Sequence, residues 1–422
     1  MEYFRIKQSG PLKGSVKISG AKNAALPLLA ASLLGTEEIL LYDVPPLKDV
    51  EVMVEVLRSL DAEVEYLDAT TLRIDSSKVD RFETSGELMN RMRASFLVMG
   101  PLLTRFGQTR TQMPGGCNIG KRPVDLHLKG FAALGAVIDE APDAIGAVAP
   151  EGGLVGHSVY LDFPSVGATQ NIMMAASMAK GSTTIENAAK EPEIVDLANF
   201  LNKMGAKVRG AGTSNIIIEG VPKLGGAVHN IIPDRIEAST FLVGAAMSGG
   251  DVRVENVIAS HIRPVLAKLT EVGCEVVESE DEDVIEVRSN GQLKGTKIRT
   301  LPYPGFPTDV QAQFMALMTV CKGKSQVEET VFENRFMHVD ELAKMGALII
   351  TEGNSAVIRG VDEIIGTKVK ATDLRAGAAL VLAGIVARGE TEVHDIYHID
   401  RGYYQLEEKL KKLGADIERV IE

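Results

Sequence analysis

The chain has 422 residues, of which 45% are hydrophobic and 24% charged, and its formal net charge is −12. The acidic balance argues against a nucleic-acid or membrane-surface protein, which would carry a basic stripe interleaved with aromatic residues. The length favours two or more domains. Three cysteines imply no disulfide framework, and the apolar segments are too short to span a bilayer. We therefore expect a globular protein of the cytoplasm.

Along the chain, one phrase recurs: apolar-x-x-apolar-Gly-Ala-x-apolar, with Asp in place of Gly in the first copy. A fixed period, here about seventy residues, indicates a repeated supersecondary unit. Each copy is typical of a helix that stops at glycine and leads into a strand. The copies are Leu57–Val64, Ala132–Ile138, Leu201–Val208, Leu269–Val276, Leu342–Leu348 and Leu410–Ile417.

A second shared pattern precedes most copies. A short strand ends in a polar turn, an Ala/Met/Leu-rich helix follows, and then come a strand and a more charged helix. The unit thus predicts β-α-β-α-β-β, six times. The first helix is apolar nearly all round, which predicts that it is buried, and the second helix should lie outside it. Six units fit two domains of three units, divided near Asn230–Pro233.

The polar turns before the buried helices hold the special residues of each unit. Helix N-termini present free N–H groups and a positive dipole end, which favour anionic ligands. We interpret Asp234 and Thr308 as plain helix caps. Capping does not explain Lys22, Arg93 and Arg375, because cations at a helix start are electrostatically disfavoured. Their presence there predicts a bound anion. The turn residues are Lys22, Asn23, Arg93, Ser165, Val166, Gly167, Asp234, Arg235, Asp309, Asp373 and Arg375.

The stretch MPGGCNIGKRPVDLHLK places a cysteine on a glycine-rich loop. Cys117 has Lys121 and Arg122 as cationic neighbours, a setting that lowers a thiol pKa and makes the sulfur reactive. The alternative is an exposed loop cysteine without a role. Cys274 and Cys321 stand in apolar contexts and are predicted to be buried packing residues.

The motifs SGAKNAALPLLAA, MPGGCNIGKRPVDLH, SVGAT, PDRIEAST, FPTDVQAQFMAL, FENRFMHV, DLRAGAALVLAG and DRGYYQLEEKL follow one another along the chain. In that order they resemble the UDP-N-acetylglucosamine 1-carboxyvinyltransferases, a family of enolpyruvyl transferases, over essentially the whole length. The resemblance implies an α/β fold, a two-domain inside-out α/β barrel built from six βαβαββ repeats. It also implies that the amino-terminal strand crosses over, so that the domains are 21–231 and 1–20 plus 232–422.

The family reaction moves the enolpyruvyl group of phosphoenolpyruvate to the 3′-hydroxyl of UDP-N-acetylglucosamine, the first committed step of peptidoglycan synthesis. It needs a proton donor, a base and cations. Cys117 matches the family's proton donor, which is also the thiol that fosfomycin alkylates in related enzymes. Asp309 matches the carboxylate that accepts the hydroxyl proton; a plain N-cap is the alternative for it.

The resemblance also implies how the substrates are held. Lys22, Arg122 and Arg401 match the clamp on phosphoenolpyruvate, with Arg375 beside them, and Asp373 lies near the methylene carbon. One departure is Phe163, where some members carry a lysine that contacts the diphosphate. The positions that match the binding site of the sugar nucleotide or intermediate are Asn23, Arg93, Arg122, Pro123, Val124, Asp125, Leu126, Ser165, Val166, Gly167 and Val331.

Two other functions stay open. The first is 3-phosphoshikimate 1-carboxyvinyltransferase, against which the loop cysteine and the PVDLH segment argue. The second is a non-catalytic nucleotide-sugar binding protein on the same scaffold. Scattered histidines without a Cys/His cluster predict no metal and no other cofactor, and no obligate protein partner is evident. Cationic groups on both domains predict an open protein that closes on its anionic ligands.

Overall fold

The structure is a computed structural model that describes residues 2–84, 86–112, 124–142, 144–279 and 283–421, with the backbone alone at 89, 90 and 93–95. Within these ranges, no helix has the length and apolar character needed to cross a membrane. The described residues form two units: 20–232, called here the amino-terminal unit, and 2–19 with 233–421, called the carboxy-terminal unit. The predicted domain boundaries, 20/21 and 231/232, each lie one residue from these divisions at 19/20 and 232/233.

The strands are short, and most have three to five residues. In chain order they are β1 (Glu2–Lys7), β2 (Lys13–Lys17), β3 (Ile39–Tyr42), β4 (Glu63–Tyr66), β5 (Leu72–Asp75), β6 (Gln108–Gln112), β7 (Val137–Glu140), β8 (Ala144–Val148), β9 (Ser158–Tyr160), β10 (Ser182–Glu186), β11 (Lys207–Arg209), β12 (Asn215–Glu219), β13 (Ala227–Asn230), β14 (Asp251–Glu255), β15 (Glu275–Ser279), β16 (Val284–Arg288), β17 (Lys297–Arg299), β18 (Lys324–Glu328), β19 (Leu348–Glu352), β20 (Ser355–Arg359), β21 (Lys368–Lys370), β22 (Glu390–His394) and β23 (Asp416–Ile421).

The helices alternate with these strands. They are α1 (Lys22–Ala31), α2 (Lys48–Ser59), α3 (Gly86–Arg91), α4 (Met99–Phe106), α5 (Asp125–Ala133), α6 (Val166–Ala176), α7 (Pro192–Lys203), α8 (Arg235–Ser248), α9 (Arg263–Val272), α10 (Gln311–Thr319), α11 (His338–Lys344), α12 (Leu374–Val386), α13 (Tyr397–Asp400) and α14 (Leu406–Lys412). Short 3-10 turns lie at Ser32–Leu34, Arg93–Val98, Ala259–His261 and Thr308–Val310.

The sheets repeat one plan. Among the described residues there are five four-stranded sheets and one three-stranded sheet, β6-β8-β7. In the sheet β17-β18-β20-β19 the first pair is parallel, with Ile298 opposite Val327, and the other two pairs are antiparallel. The remaining four-stranded sheets share this order, with β9-β10, β13-β3, β2-β14 and β21-β22 as the parallel pairs. The predicted βαβαββ architecture is confirmed.

The ends of the chain complete the sheets of the carboxy-terminal unit. β1 lies between β22 and β23 and pairs antiparallel with both, while β2 pairs parallel with β14. In the amino-terminal unit, β13 pairs with β3 in the same parallel way. Residues 2–19 therefore belong to the unit to which the family resemblance assigned the amino-terminal strand.

Apolar helices lie inside each unit. All nine residues of α10 are buried, and α8, α10 and α12 contact one another within the carboxy-terminal unit. In the amino-terminal unit α4 packs on α6, and α1 packs on the turn Arg93–Val98. Helices that are apolar on every side gain stability only when every side is covered, so they form the core while the sheets cover them. This arrangement matches the buried first helices that the repeats predict and the inside-out barrel that the family resemblance implies.

The recurring Gly-Ala phrase has the predicted role. Its five glycines, at 135, 205, 273, 346 and 414, all have positive φ angles between 90° and 114°, and each follows closely on the end of a helix. Glycine takes up this left-handed conformation without the steric cost of a Cβ. In the first copy Asp61 adopts it instead, with φ of 70°. Each such residue turns the chain from an outer helix into an edge strand.

Candidate functional site

The predicted site residues fall in both units. Cys117, Lys121, Arg122 and Pro123 lie outside the described residues, as does the side chain of Arg93. The predictions for those five positions stay predictions. The remaining ones can be placed within their own unit.

In the carboxy-terminal unit, the carboxylate of Asp309 bridges two buried guanidinium groups. Nη2 of Arg335 donates to Oδ1 at 2.9 Å, and Nη2 of Arg375 donates to Oδ2 at 3.2 Å. Arg335 is 5% exposed and Arg375 3% exposed, so both pairs are largely shielded from water. No side-chain cap bond is made at the turn Thr308–Val310 that carries Asp309. The N-cap alternative for Asp309 is therefore wrong.

Arg375 is held in place by buried polar groups. Its guanidinium lies 5.4 Å from the ring centre of Tyr403, whose hydroxyl lies 2.9 Å from Oγ1 of Thr240. Nε2 of Gln313 donates to the Tyr403 hydroxyl at 3.2 Å and to the backbone oxygen of Asp309 at 2.9 Å. Burial opposes the charge of Arg375, but Tyr403 and Asp309 outweigh it and raise the pKa of Arg375 above its ordinary value. Contacts within the carboxy-terminal unit therefore fix the position of the Arg375 guanidinium and favour its charged form.

Arg335 is supported from the other side. Its Nη1 donates to Oγ1 of Thr308 at 3.4 Å, and that hydroxyl donates to Oε2 of Glu329 at 2.9 Å. Oε1 of Glu329 accepts from the backbone N–H of Val331 at 2.9 Å. The prediction that Thr308 caps a helix is wrong, because its hydroxyl bonds Glu329 instead. The same network fixes the backbone of Val331, one of the predicted binding positions.

Two carboxylates do cap helices. Oδ1 of Asp234 accepts from the N–H groups of Ile236 and Glu237 at the start of α8, so the cap predicted there is confirmed. Oδ1 of Asp373 accepts from the backbone N–H of Arg375 at 2.8 Å, which makes Asp373 the N-cap of α12. A capping role for Asp373 is compatible with substrate contact, since its second oxygen takes no part in these bonds.

Arg401 follows α13 and is half-buried. Its neighbour Asp400 receives two hydrogen bonds from Arg419 of β23, at 3.0 and 2.6 Å. Arg419 also donates to Oε1 of Glu407 at 2.7 Å, on α14. Arg419 of β23 therefore holds the segment that carries Arg401 in place.

His338 is the first residue of α11 and is 1% exposed. The charges of Arg335 and Asp373 act on its imidazole. Its Nε2 lies 3.3 Å from Sδ of Met315. Burial lowers the pKa of His338 to about 4; Asp373 acts against this shift, and Arg335 acts with it. An unfolded chain would bind a proton at this histidine near pH 6.5, the ordinary value, whereas the folded chain would not.

The free energy of unfolding should therefore fall as the pH is lowered below the ordinary pKa of histidine. Between about pH 7 and pH 5 the unfolded chain binds a proton at His338, whereas the folded chain does not. This difference lowers the free energy of unfolding by about 2 kcal/mol. We expect His338→Leu to lose less of its unfolding free energy over that interval than the wild type does, in urea titrations. His157→Leu, at an exposed position, is the control. Equal losses in the wild type and His338→Leu would contradict this assignment.

In the amino-terminal unit, Lys22 opens α1 and is 9% exposed. Its Nζ lies 3.1 Å from Oδ2 of Asp49, a 4% exposed carboxylate in the first turn of α2. Sequence reasoning missed Asp49. A resident carboxylate thus balances this cation at the helix start, as Asp309 balances Arg375, so a bound anion is not required to explain either charge. Asn23, the next residue of α1, is half-buried.

The starts of α5 and α6 meet in the same unit. Oγ of Ser165 accepts from the N–H of Ala168 at 3.3 Å and caps α6, and a Cβ on Gly167 would lie 3.1 Å from Cε1 of His127. Val124 is buried, and its carbonyl accepts from the N–H of His127 at 2.9 Å. The described binding positions of this group are Val124, Asp125, Leu126, Ser165, Val166 and Gly167, of which Asp125 is exposed and the last three half-buried.

Two further side chains bear on the predictions. Phe163, which stands where some family members carry a lysine, is 43% exposed and brings no charge to the start of α6. Cys274 and Cys321 are buried at 5% and 1% exposure, which confirms them as packing residues. Within the described part of the chain, no three His, Cys, Asp or Glu side chains are grouped as metal ligands would be.

Comparison with known proteins shows which family the chain belongs to. A protein-family model described as EPSP synthase (3-phosphoshikimate 1-carboxyvinyltransferase) matches residues 6–410. The UDP-N-acetylglucosamine 1-carboxyvinyltransferase of Finegoldia magna is 69% identical over 420 residues, covering 100% of this chain and 99% of the relative. UDP-N-acetylglucosamine 1-carboxyvinyltransferase 2 of Carboxydothermus hydrogenoformans is 60% identical, with 100% of both chains covered.

Solved structures support the fold. The enolpyruvyl transferase NikO from Streptomyces tendae superposes with a TM-score of 0.88 at 24% identity, covering 99% of this chain and 98% of that one. An EPSP synthase from Acinetobacter baumannii gives a TM-score of 0.76 at 18% identity, with both chains fully covered. At these identities the likeness concerns architecture alone.

Proposed function

Because the chain belongs to the UDP-N-acetylglucosamine 1-carboxyvinyltransferase family, we propose that it transfers the enolpyruvyl group of phosphoenolpyruvate to the 3′-hydroxyl of UDP-N-acetylglucosamine and releases phosphate. The observation that carries this proposal is the 69% identity over the full chain to a relative of that name. The product would enter peptidoglycan synthesis in the cytoplasm. Both described cysteines are buried as free thiols, which fits a reducing compartment.

The chemistry is an addition followed by an elimination. A proton adds to the methylene carbon of the donor, and the sugar oxygen bonds to the adjacent carbon as the hydroxyl loses its proton. The tetrahedral ketal then loses phosphate from that carbon and a proton from its methyl group, which restores the double bond. Cys117 would supply the first proton, and fosfomycin would alkylate the same thiol.

Asp309 would accept the proton of the sugar hydroxyl. Its bonds to Arg335 and Arg375 support this role, because two guanidinium groups fix the direction of both carboxylate oxygens and stabilise the anion. A base must be held within hydrogen-bond reach of the proton that it removes. The carboxylate is 27% exposed, whereas the arginines that hold it are at most 5% exposed, so it is the member of the cluster that a ligand can reach.

The cations would hold the anionic groups of the substrates. Lys22, Arg122, Arg375 and Arg401 would bind the phosphate and carboxylate of the donor. The guanidinium forks of the arginines match both groups, and the lysine adds a point charge. The start of α6, with the positive end of its helix dipole, would bind the diphosphate of the acceptor. The predicted acceptor-binding residues are Asn23, Arg93, Arg122, Pro123, Val124, Asp125, Leu126, Ser165, Val166, Gly167 and Val331.

Phosphate release separates the candidate functions. The protein is incubated with phosphoenolpyruvate and either UDP-N-acetylglucosamine or shikimate 3-phosphate, with a chelator present throughout. We expect release with the sugar nucleotide alone. Release with shikimate 3-phosphate alone would support the alternative transferase, and binding of the sugar nucleotide without any release would support a non-catalytic protein. A strict need for a divalent metal would contradict the proposed mechanism.

A further inference from the structure

Asn171 of α6 is a fully buried amide whose polar atoms all have partners. Its Oδ1 accepts from the backbone N–H of Gly100 at 2.7 Å, and its Nδ2 donates to the backbone oxygen of Phe96 at 3.1 Å. The same Nδ2 lies 3.1 Å from Nδ1 of His127 on α5. One side chain thus joins α4, α6 and α5 within the amino-terminal unit.

These contacts fix which way the amide points. A backbone N–H can only donate, so the atom that faces Gly100 must be the oxygen. A backbone carbonyl can only accept, so the atom that faces Phe96 must be the nitrogen. Both constraints agree, and Asn171 therefore presents an N–H to Nδ1 of His127. Nδ1 must accept, which places the proton of the neutral imidazole on Nε2.

Close packing prevents the amide from turning. A Cβ built on Gly100 would lie 2.4 Å from both the backbone oxygen and Oδ1 of Asn171, so only glycine permits this approach of α4 to α6. The ring of Phe96 meets the imidazole edge-on, with centroids 5.1 Å apart. The His127 ring is therefore fixed both by a hydrogen bond and by an aromatic contact.

The Nε2 edge of the ring faces the first turn of α6. A Cβ on Gly167 would lie 3.2 Å from Nε2, and Gly167 is one of the half-buried residues at this helix start. We propose that Asn171 is a positioning residue: it fixes His127 as an Nε2–H donor at the start of α6, where the phosphate-bearing acceptor binds. This inference rests on the proposed function, because the ligand at that helix start comes from it.

The proton position can be measured directly. Long-range ¹⁵N–¹H spectra of ¹⁵N-histidine-labelled protein, recorded at about pH 8, above the ordinary pKa of an imidazole, report which ring nitrogen carries the proton. The signals of His127 are those lost in His127→Gln, among the seven histidines of the chain. We expect protonated Nε2 and bare Nδ1. A proton on Nδ1 in the native protein would overturn the inference without any variant of Asn171.

Steady-state kinetics test whether the Nε2–H of His127 contributes to binding of the sugar nucleotide. Asn171→Asp replaces the donor by a carboxylate that can only accept and that favours the imidazolium. The kinetics are therefore measured well above the ordinary imidazole pKa, where the single remaining ring proton of His127 should lie on Nδ1, facing the carboxylate. We expect KM for UDP-N-acetylglucosamine to rise about tenfold, the loss of roughly one hydrogen bond to a charged group, while KM for phosphoenolpyruvate stays within about twofold. Asn202→Asp is the matched control, since among the described residues that side-chain amide bonds the backbone of Val208 alone, and its change should leave both constants unaltered.

A double-mutant comparison separates positioning from general damage. Glutamine in His127→Gln can offer an N–H near the Nε2 position without needing Asn171, so adding Asn171→Asp to it should change KM by less than about twofold. An unchanged sugar-nucleotide KM in Asn171→Asp, or an equal rise in both backgrounds, would overturn the positioning role. Absence of any transfer to UDP-N-acetylglucosamine by the wild type would instead overturn the proposed function, and the proton position would still decide the geometry.

Discussion

Asp309→Asn is expected to lower kcat by about 10²–10⁴-fold, the usual contribution of a positioned general base. The amide keeps the shape of the carboxylate but cannot take the proton of the sugar hydroxyl. The wild-type carboxylate is held by two buried arginines at 2.9 and 3.2 Å, so no other oxygen can easily move into its place. Steady-state phosphate release with both substrates saturating measures the effect.

Stability must be followed in the same variants. Removing the charge leaves the guanidinium groups of Arg335 and Arg375 buried without their carboxylate, and breaking a buried pair typically costs about 3–5 kcal/mol. Because Asp309 itself is 27% exposed, we expect a smaller loss, and less in Asp309→Asn than in Asp309→Ala. Asp340→Asn, at an exposed position on α11, is the control. A folded Asp309→Asn protein with kcat within threefold of the wild type would refute the base assignment.

Cys117→Ser is expected to lower kcat by about 10²–10⁴-fold while leaving the affinity for UDP-N-acetylglucosamine unchanged. A serine hydroxyl is a much poorer proton donor than a thiol, whereas nothing in the proposed role of Cys117 involves the sugar nucleotide. Turnover measured as phosphate release and sugar-nucleotide affinity measured by calorimetry separate the two effects. A parallel loss of affinity would show that the loop, rather than the thiol, is responsible.

The other two cysteines provide matched controls. Burial raises the pKa of Cys274 to about 11 and that of Cys321 to about 12, so neither sulfur is a thiolate at neutral pH. Cys274→Ala should keep the wild-type kcat. After treatment with fosfomycin, mass spectrometry should locate the added mass on Cys117; added mass on Cys274 or Cys321 would contradict the proposal.

The repeat is predictable from the sequence because it depends on residues that are close together along the chain. A glycine such as Gly346 follows an amphipathic helix and adopts positive φ, and a helix such as α12, apolar after Arg375, has no broad polar face to turn toward water. Both features arise from neighbouring residues along the chain. The crossing of β1 into the carboxy-terminal unit is different, because its partners β22 and β23 lie at the opposite end of the sequence. The family resemblance alone indicates that this strand joins the second domain, and it does not name the strand's partners.

Long-range partners explain what sequence reasoning missed at the site. Lys22 and Arg375 were recognised as unusual cations at helix starts, but their carboxylates, Asp49 and Asp309, lie 27 and 66 residues away. Arg335 stands in the motif FENRFMHV, to which the sequence assigns no role, because its contact with Asp309 joins the segment before α11 to the turn before α10. A local pattern gives the helix position of a charge, but it does not give the group that balances it.

The mass of the sugar-nucleotide product formed in D₂O tests the central claim most directly. Addition and elimination pass through a methyl group that takes a proton from the solvent-exchanged protein and then loses one. We predict a product that carries the enolpyruvyl group and contains deuterium in its methylene. A sugar nucleotide that gains no enolpyruvyl group, or one whose methylene keeps only its original protons, would contradict the account.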